Sequence, residues 1–284
     1  MDVVAVVLIG AVVMLIVAAA MAAVGFRDRI EELKMRLVAD QRLGRPLLPR
    51  LPPLVRDYAL KAGGREGGPS MLHARQSATL ATARDRPPMA ISAQQWTAAR
   101  TPGIVWVAEG AMSGVPVSVV DSFVDGKGHL AARLLRVLPV AGGTGEAYDK
   151  GELMRYLSEL PIYPDAILNV GAIQWRQVDV RTVEASARAG SQLASVRFVF
   201  DDNGDISALE ADDRPMERDG ALVPTPWRGS YSSYRQFGSY RLPAHGEVGW
   251  LLADGLFTYW RGDLLDYRPV SLEAGQGRRA APAS

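Results

Sequence analysis

The sequence predicts a mainly β protein. Its core is a curved antiparallel sheet, a half-barrel of about ten or eleven strands, crossed by one central helix and preceded by an N-terminal transmembrane helix. Three observations carry this reading. Strand-like segments follow one another across tight turns, and helices do not alternate with them, which argues against a parallel α/β sheet. One strongly helical stretch, residues 149–160, interrupts that run. The first residues are apolar over a length that exceeds the ~20 needed to span a bilayer as a helix.

Residues 3–26 carry no charge and are rich in Val, Ala, Leu and Ile, which predicts a single-pass anchor. The rival is a cleavable signal peptide. That needs a basic stretch before the apolar one, and here only Asp2 precedes it, although the small residues at 18–23 would suit cleavage. Arg27, Arg29, Lys34, Arg36, Arg42 and Arg45 follow the span and no Lys or Arg precedes it, so the positive-inside rule places the following domain in the cytoplasm. Residues 27–43 continue as an amphipathic juxtamembrane helix with Ile30, Leu33, Leu37 and Val38 on one face. Its basic side either rests on anionic headgroups or is a solvated spacer. Residues 44–68 read as a Pro/Gly linker holding a short helix, with Pro53 near the helix start and Gly63 at its end.

The half-barrel occupies residues 69–270, with strands expected near 71–82, 88–96, 103–108, 115–124 and 127–137, then from 172 to 213, and again over 247–253 and 256–268. Asp125-Gly126, Asn203-Gly204 and Asp254-Gly255 are hairpin signals, because such pairs tolerate positive φ. In the central helix Leu153, Tyr156, Leu157 and Leu160 form one apolar face, and Glu152, Arg155 and Glu159 are spaced to pair on the other. Asp149 with Glu152 reads as a capping box, and Pro161 as a stop. Residues 271–284 read as a disordered tail.

Charge and composition exclude several functions. Residues 27–61 hold nine basic against five acidic side chains, and the remainder is near neutral, so there is no basic footprint for nucleic acid. The absence of cysteine excludes disulfides, thiolate zinc sites and thiol catalysis.

Several stretches together resemble an uncharacterised family of bacterial membrane-associated proteins. They are Leu51-Pro-Pro-Leu-Val-Arg-Asp-Tyr58, Trp96 with Pro102-Gly-Ile-Val-Trp106, and Asp121 with Asp125-Gly-Lys-Gly128. With them go Gly151-Glu-Leu-Met-Arg-Tyr-Leu-Ser-Glu159, Thr225-Pro-Trp227 and Asp254-Gly-Leu-Phe-Thr-Tyr-Trp-Arg261. The family is a domain of unknown function, and the resemblance spans roughly residues 51–270. Its strand order is similar to the half-barrel of periplasmic lipoprotein carriers, which implies a domain on the outer side of the inner membrane, opposite to the charge rule.

No residue pattern assigns catalysis, a cofactor or a metal. His73, His129 and His245 lie far apart with no ligand spacing. Ser113 misses the nucleophile-elbow spacing, and residues 142–145 lack the lysine of a phosphate loop. Asp201–Asp205 offers alternate oxygens, but Ile206 stands where a calcium loop needs Gly. What remains is a set of candidate ligand-binding residues: Trp106, Glu152, Arg155, Tyr156, Glu159, Asp213, Arg214, Trp227, Trp250, Tyr259 and Trp260. Aromatics between a sheet and a helix suit an acyl chain or other apolar ligand. The expected function is therefore a membrane-anchored, non-enzymatic binding protein for a lipid or other apolar ligand. Two other readings stand beside it: a hydrolase using the carboxylate/Arg cluster, which needs Glu152 and Asp213 in one cleft, and a tethered scaffold pairing through a sheet edge.

Overall fold

The computed structural model describes residues 3–43 and 48–270; the predicted tail and part of the linker lie outside the described residues. One antiparallel sheet dominates, with thirteen strands rather than ten or eleven. In chain order they are β1 (Met71–Leu80), β2 (Met89–Ala98), β3 (Ile104–Met112), β4 (Val115–Val124), β5 (Lys127–Leu134) and β6 (Leu138–Thr144). Then follow β7 (Gln174–Gln177), β8 (Thr182–Ala189), β9 (Gln192–Phe200), β10 (Ile206–Arg218), β11 (Ala221–Phe237), β12 (Tyr240–Leu252) and β13 (Gly255–Pro269). The spatial order is β6-β5-β4-β3-β2-β1-β13-β12-β11-β10-β9-β8-β7. Two meanders therefore meet at a central seam, where β1 pairs with β13 from Leu72↔Pro269 to Leu80↔Trp260.

The helices α1 (Val3–Leu43), α2 (Pro53–Lys61), α3 (Glu146–Ser158) and α4 (Pro164–Asn169) frame the sheet. The segment between β6 and β7 must travel from one sheet edge to the other, and α3 makes that crossing on the concave face. It touches β4, β5 and β6 on one side and β8, β9 and β10 on the other. The sheet thus curls around it, and Gly151, Glu152, Leu153, Met154, Tyr156 and Leu157 are all buried.

The start of α3 differs from the expected capping box. The helix begins at Glu146 after Gly145, with no side-chain cap. Asp149 sits inside the first turn, where its carboxylate accepts from Lys127 Nζ (2.9 Å) and Gly128 N (2.8 Å). This locks α3 to the start of β5. Gly128 is required there, because a Cβ would lie 2.2 Å from the Tyr148 carbonyl oxygen. The preceding turn is as expected: Asp125 and Gly126 both have positive φ, 52° and 74°. Asn203-Gly204 lies instead in a longer loop, in which the Asp201 carboxylate accepts from the backbone of Asn203 and Asp205.

The two strands that sequence reasoning missed are β6 and β11. β11 contains Pro224 and Pro226, which argue against an interior strand. The structure resolves this through geometry. Pro224 stands directly opposite Pro215, so neither N–H is needed between them, and Pro226 faces a bulge at Asp212–Asp213. Past Trp227 toward its N-terminal end, β11 pairs only with β10, and the two form a free ribbon.

α1 is one continuous helix. Ile9, Val12, Leu15 and Ile16 are exposed, whereas Phe26, Ile30, Leu33 and Leu37 are buried against Met71, Ala98, Val105 and Val120 on the outer sheet face. Val105 thus packs outward while its neighbours Ile104 and Trp106 face inward, the period-two alternation of a strand buried on both sides. The basic side chains also find protein partners: Lys34 Nζ lies 3.9 Å from the centre of the Trp96 ring, and Arg36 pairs with Asp125 at 2.6 Å. The glycine-rich stretch after α2 is bonded to buried groups. Arg65 N and Gly67 N donate to Asp165 Oδ1 and Asn169 Oδ1, so α4 holds this loop in place.

Candidate functional site

Between α3 and the concave face lies a cavity of about 500 Å³. Small-molecule pockets usually measure ~300–1,000 Å³. α3 contributes Gly151, Glu152, Arg155 and Glu159; the spacings of three and four bring these side chains to one face. β3 supplies Trp106, β4 Asp121, β11 Trp227 and β12 Trp250. Two bulges complete the wall. One at Asp212–Asp213 turns Arg214 of β10 inward. The other, opposite Val248–Gly249 on β13, lets the consecutive residues Tyr259 and Trp260 both reach the cavity.

Nine of the expected residues are brought together in this way. Tyr156 and Asp213 are not. Tyr156, on α3, is fully buried and donates to the Ala98 carbonyl at 2.9 Å, so it joins helix to sheet. Asp213 pairs with Lys150, away from the cavity. The cleft that the hydrolase reading needs, with Glu152 beside Asp213, is therefore not formed. The carboxylate beside Glu152 is Asp121, which sequence reasoning did not place in the site. Its signal was an acid inside the apolar run Val119-Val120-Asp121-Ser122-Phe123, at a position that alternates with the outward-facing Val120.

The polar groups form one connected patch. Arg155 bonds Asp121 and donates through Nε to Glu159 Oε1 at 2.9 Å, with its guanidinium 4.6 Å from the centre of the Trp106 ring. Gln95 donates to Glu159 and to the Tyr163 hydroxyl. Burial, reinforced by the Asp121 charge, pushes Glu152 well above the usual carboxylate range. For Asp121 burial is the largest influence and acts against ionisation, but Arg155, a hydrogen bond from Glu152 and Arg214 together outweigh it and hold its carboxyl low. Within the pair Glu152 is thus the carboxyl that holds a proton more readily and Asp121 the one that ionises more readily. Asp121 Oδ1 and Glu152 Oε2 are buried with no N–H or hydroxyl donor, and the two side chains hydrogen-bond each other. At the rim His245 Nδ1 lies 2.8 Å from Asp263, and Arg261 donates to Glu247 at 3.1 Å. The hydrogen bond to Asp263 raises the His245 pKa against partial burial, with Glu247 adding to it. Among the described residues no group of His, Asp and Glu is arranged to hold a metal ion.

A model built for a family of unknown function, DUF6544, matches residues 41–262. The chain belongs to this family. The match covers β1 to β12 and the first half of β13, and so contains all of the cavity lining except Asp263 and Leu264. No curated protein matches the sequence. Among solved structures, a LolA superfamily protein from Nitrosomonas europaea is 11% identical, with 76% of this chain and 94% of that chain covered and a TM-score of 0.41. A domain named for outer membrane lipoprotein sorting, from Vibrio parahaemolyticus, is 12% identical over 79% and 94% at a TM-score of 0.42. A DUF1329 family protein from Desulfovibrio piger is 10% identical over 78% and 93%, also at 0.42.

Proposed function

We propose that this DUF6544 chain is a membrane-anchored, non-enzymatic binding protein for a lipid or another apolar ligand. The observation that carries the reading is the cavity under α3, walled by Trp106, Trp227, Trp250, Phe257, Tyr259 and Trp260. Protein interiors are close-packed, so apolar space of this size is not a by-product of good packing. Indole and phenol rings give a hydrocarbon chain a large contact area. The anchor part of the proposal rests on α1, in which Ile9–Gln41 is long and apolar enough to cross a membrane.

The test uses the tryptophans as reporters, since none lies in the apolar span. The full chain in nanodiscs is titrated with dibromostearyl alcohol, a neutral chain whose bromines quench nearby indoles. Saturable quenching is expected, and Gly151→Leu, which fills the cavity from α3, should remove its saturable part. Identical quenching in both proteins would mean that the bromines act from the bilayer, and the cavity reading would be wrong.

A further inference from the structure

We infer that the cavity recognises its ligand by an anionic head, a carboxylate or phosphate carried on a hydrocarbon chain, and that Arg214 is the residue that binds it. The inference deepens the apolar-ligand reading and depends on it. Arg214 is only 8% exposed and lines the cavity. Among the described residues it takes part in no hydrogen bond and no ion pair, although a guanidinium carries five N–H donors. Asp121 and Glu152 attract it only through space, whereas buried arginines are normally matched by carboxylates that they bond directly.

Asp121 and Glu159, which share the cavity wall, are already committed. One oxygen of Asp121 accepts from Arg155 and the other faces Glu152. Glu159 accepts from Arg155 and Gln95. Burial and the Asp121 charge push the Glu152 carboxyl up, which disfavours its charged form. Two tryptophans cover the guanidinium of Arg214, with the Trp227 ring centre 4.2 Å away and that of Trp250 at 5.9 Å. Ring contacts of this kind give the guanidinium no acceptor atom for its N–H groups. The indole Nε1 of Trp227 is also buried without an acceptor. The Arg214 guanidinium thus lacks an acceptor in a cavity to which Val248, Phe257, Trp260 and Leu264 give apolar wall. A ligand that satisfies both halves has an anionic oxygen pair at one end and a hydrocarbon at the other.

The experiment compares three probes with the same brominated chain on the full protein in zwitterionic nanodiscs: dibromostearate, dibromostearoyl lysophosphatidate and dibromostearyl alcohol. At least one of the two anions should bind ten times or more tightly than the alcohol; the tighter of them identifies a fatty acid or a phospholipid as the source. Arg214→Met should bring all three within about twofold, and Arg214→Lys, which keeps the charge but loses the fork, should retain part of the preference. Equal affinity of the wild-type protein for all three would overturn the head-group assignment while leaving the apolar cavity standing. Absence of saturable quenching by any probe would overturn the cavity reading itself. If Arg214→Met does not fold, the wild-type comparison still decides the anionic head, and Arg214→Lys decides the residue: an undiminished preference in that variant would overturn the assignment to Arg214.

Discussion

Gly151 lies in the interior of α3 yet has nothing to pack against. A Cβ there would meet only Pro215 Cδ, at 3.9 Å, an ordinary contact distance. Glycine inside a helix costs about 0.8–1.0 kcal/mol relative to alanine, mostly through the freedom it loses on folding. Gly151→Ala should therefore stabilise the protein by about 1 kcal/mol, a rise in melting temperature of about 2–4 °C for a domain of this size. Gly151→Leu keeps the helix gain and buries an aliphatic side chain in the cavity, worth about 1.5–3 kcal/mol when complete, less any strain from overpacking. Stability and binding are then expected to move in opposite directions: the Leu variant melts higher and binds the brominated chain at least ten times more weakly. Thermal melts followed by tryptophan fluorescence, beside the quenching titration, measure both. Destabilisation by Gly151→Ala would show that the space is not free and that the helix and cavity argument is wrong.

Three further outcomes follow from the same geometry. The folded state keeps a proton on Glu152 that the unfolded chain releases near its ordinary value of 4.5, so the stability Glu152 contributes is complete below about pH 4.5 and is lost as pH rises through its raised folded-state value. The lowered Asp121 acts oppositely, but only as pH falls below its ordinary 3.8. Glu152→Gln keeps a donor for Asp121 and should flatten the urea midpoint between pH 5 and 8; curves parallel to wild type would refute the neutral-acid assignment. Tyr156→Phe removes the donor to the Ala98 carbonyl and should cost about 1 kcal/mol in denaturant titrations with probe affinity unchanged. Since the chain has no cysteine, Ser284→Cys supplies a single thiol. The Lys and Arg residues after the span predict that an impermeant maleimide reaches it only after lysis, and labelling of intact spheroplasts would place the domain on the other side.

The parts of the fold that were legible in the sequence are those where local pattern and tertiary role agree. The hairpin at Asp125-Gly126 needs positive φ at both positions, and this pair is chosen for it. The apolar face of α3 is visible because Leu153, Tyr156 and Leu157 repeat with the helix period. β11 was illegible because its prolines are tolerated only by a matching proline and a bulge on β10, both non-local facts. The same limit applies to the cavity. Aromatic strands and a charged helix face indicated most of its wall, but Asp121 entered only once register fixed which side of β4 it occupies. Asp213 misled because it sits one position before Arg214: consecutive residues of a strand point to opposite faces, and the bulge at Asp212–Asp213 leaves Arg214 as the inward one.

The seam between β1 and β13 joins residues at opposite ends of the domain, Leu72 with Pro269. Each meander can form locally as it is synthesised, but the middle of the sheet stays open until β13 has left the ribosome. Closing so long a loop is entropically slow, and proteins dominated by distant contacts fold late. Until then β1 and β12 present raw edges beside an unfilled apolar interior. A premature stop anywhere in β13 therefore splits the sheet through its centre rather than trimming its rim, and nascent chains of this protein are expected to need protection from aggregation up to the last step of their synthesis.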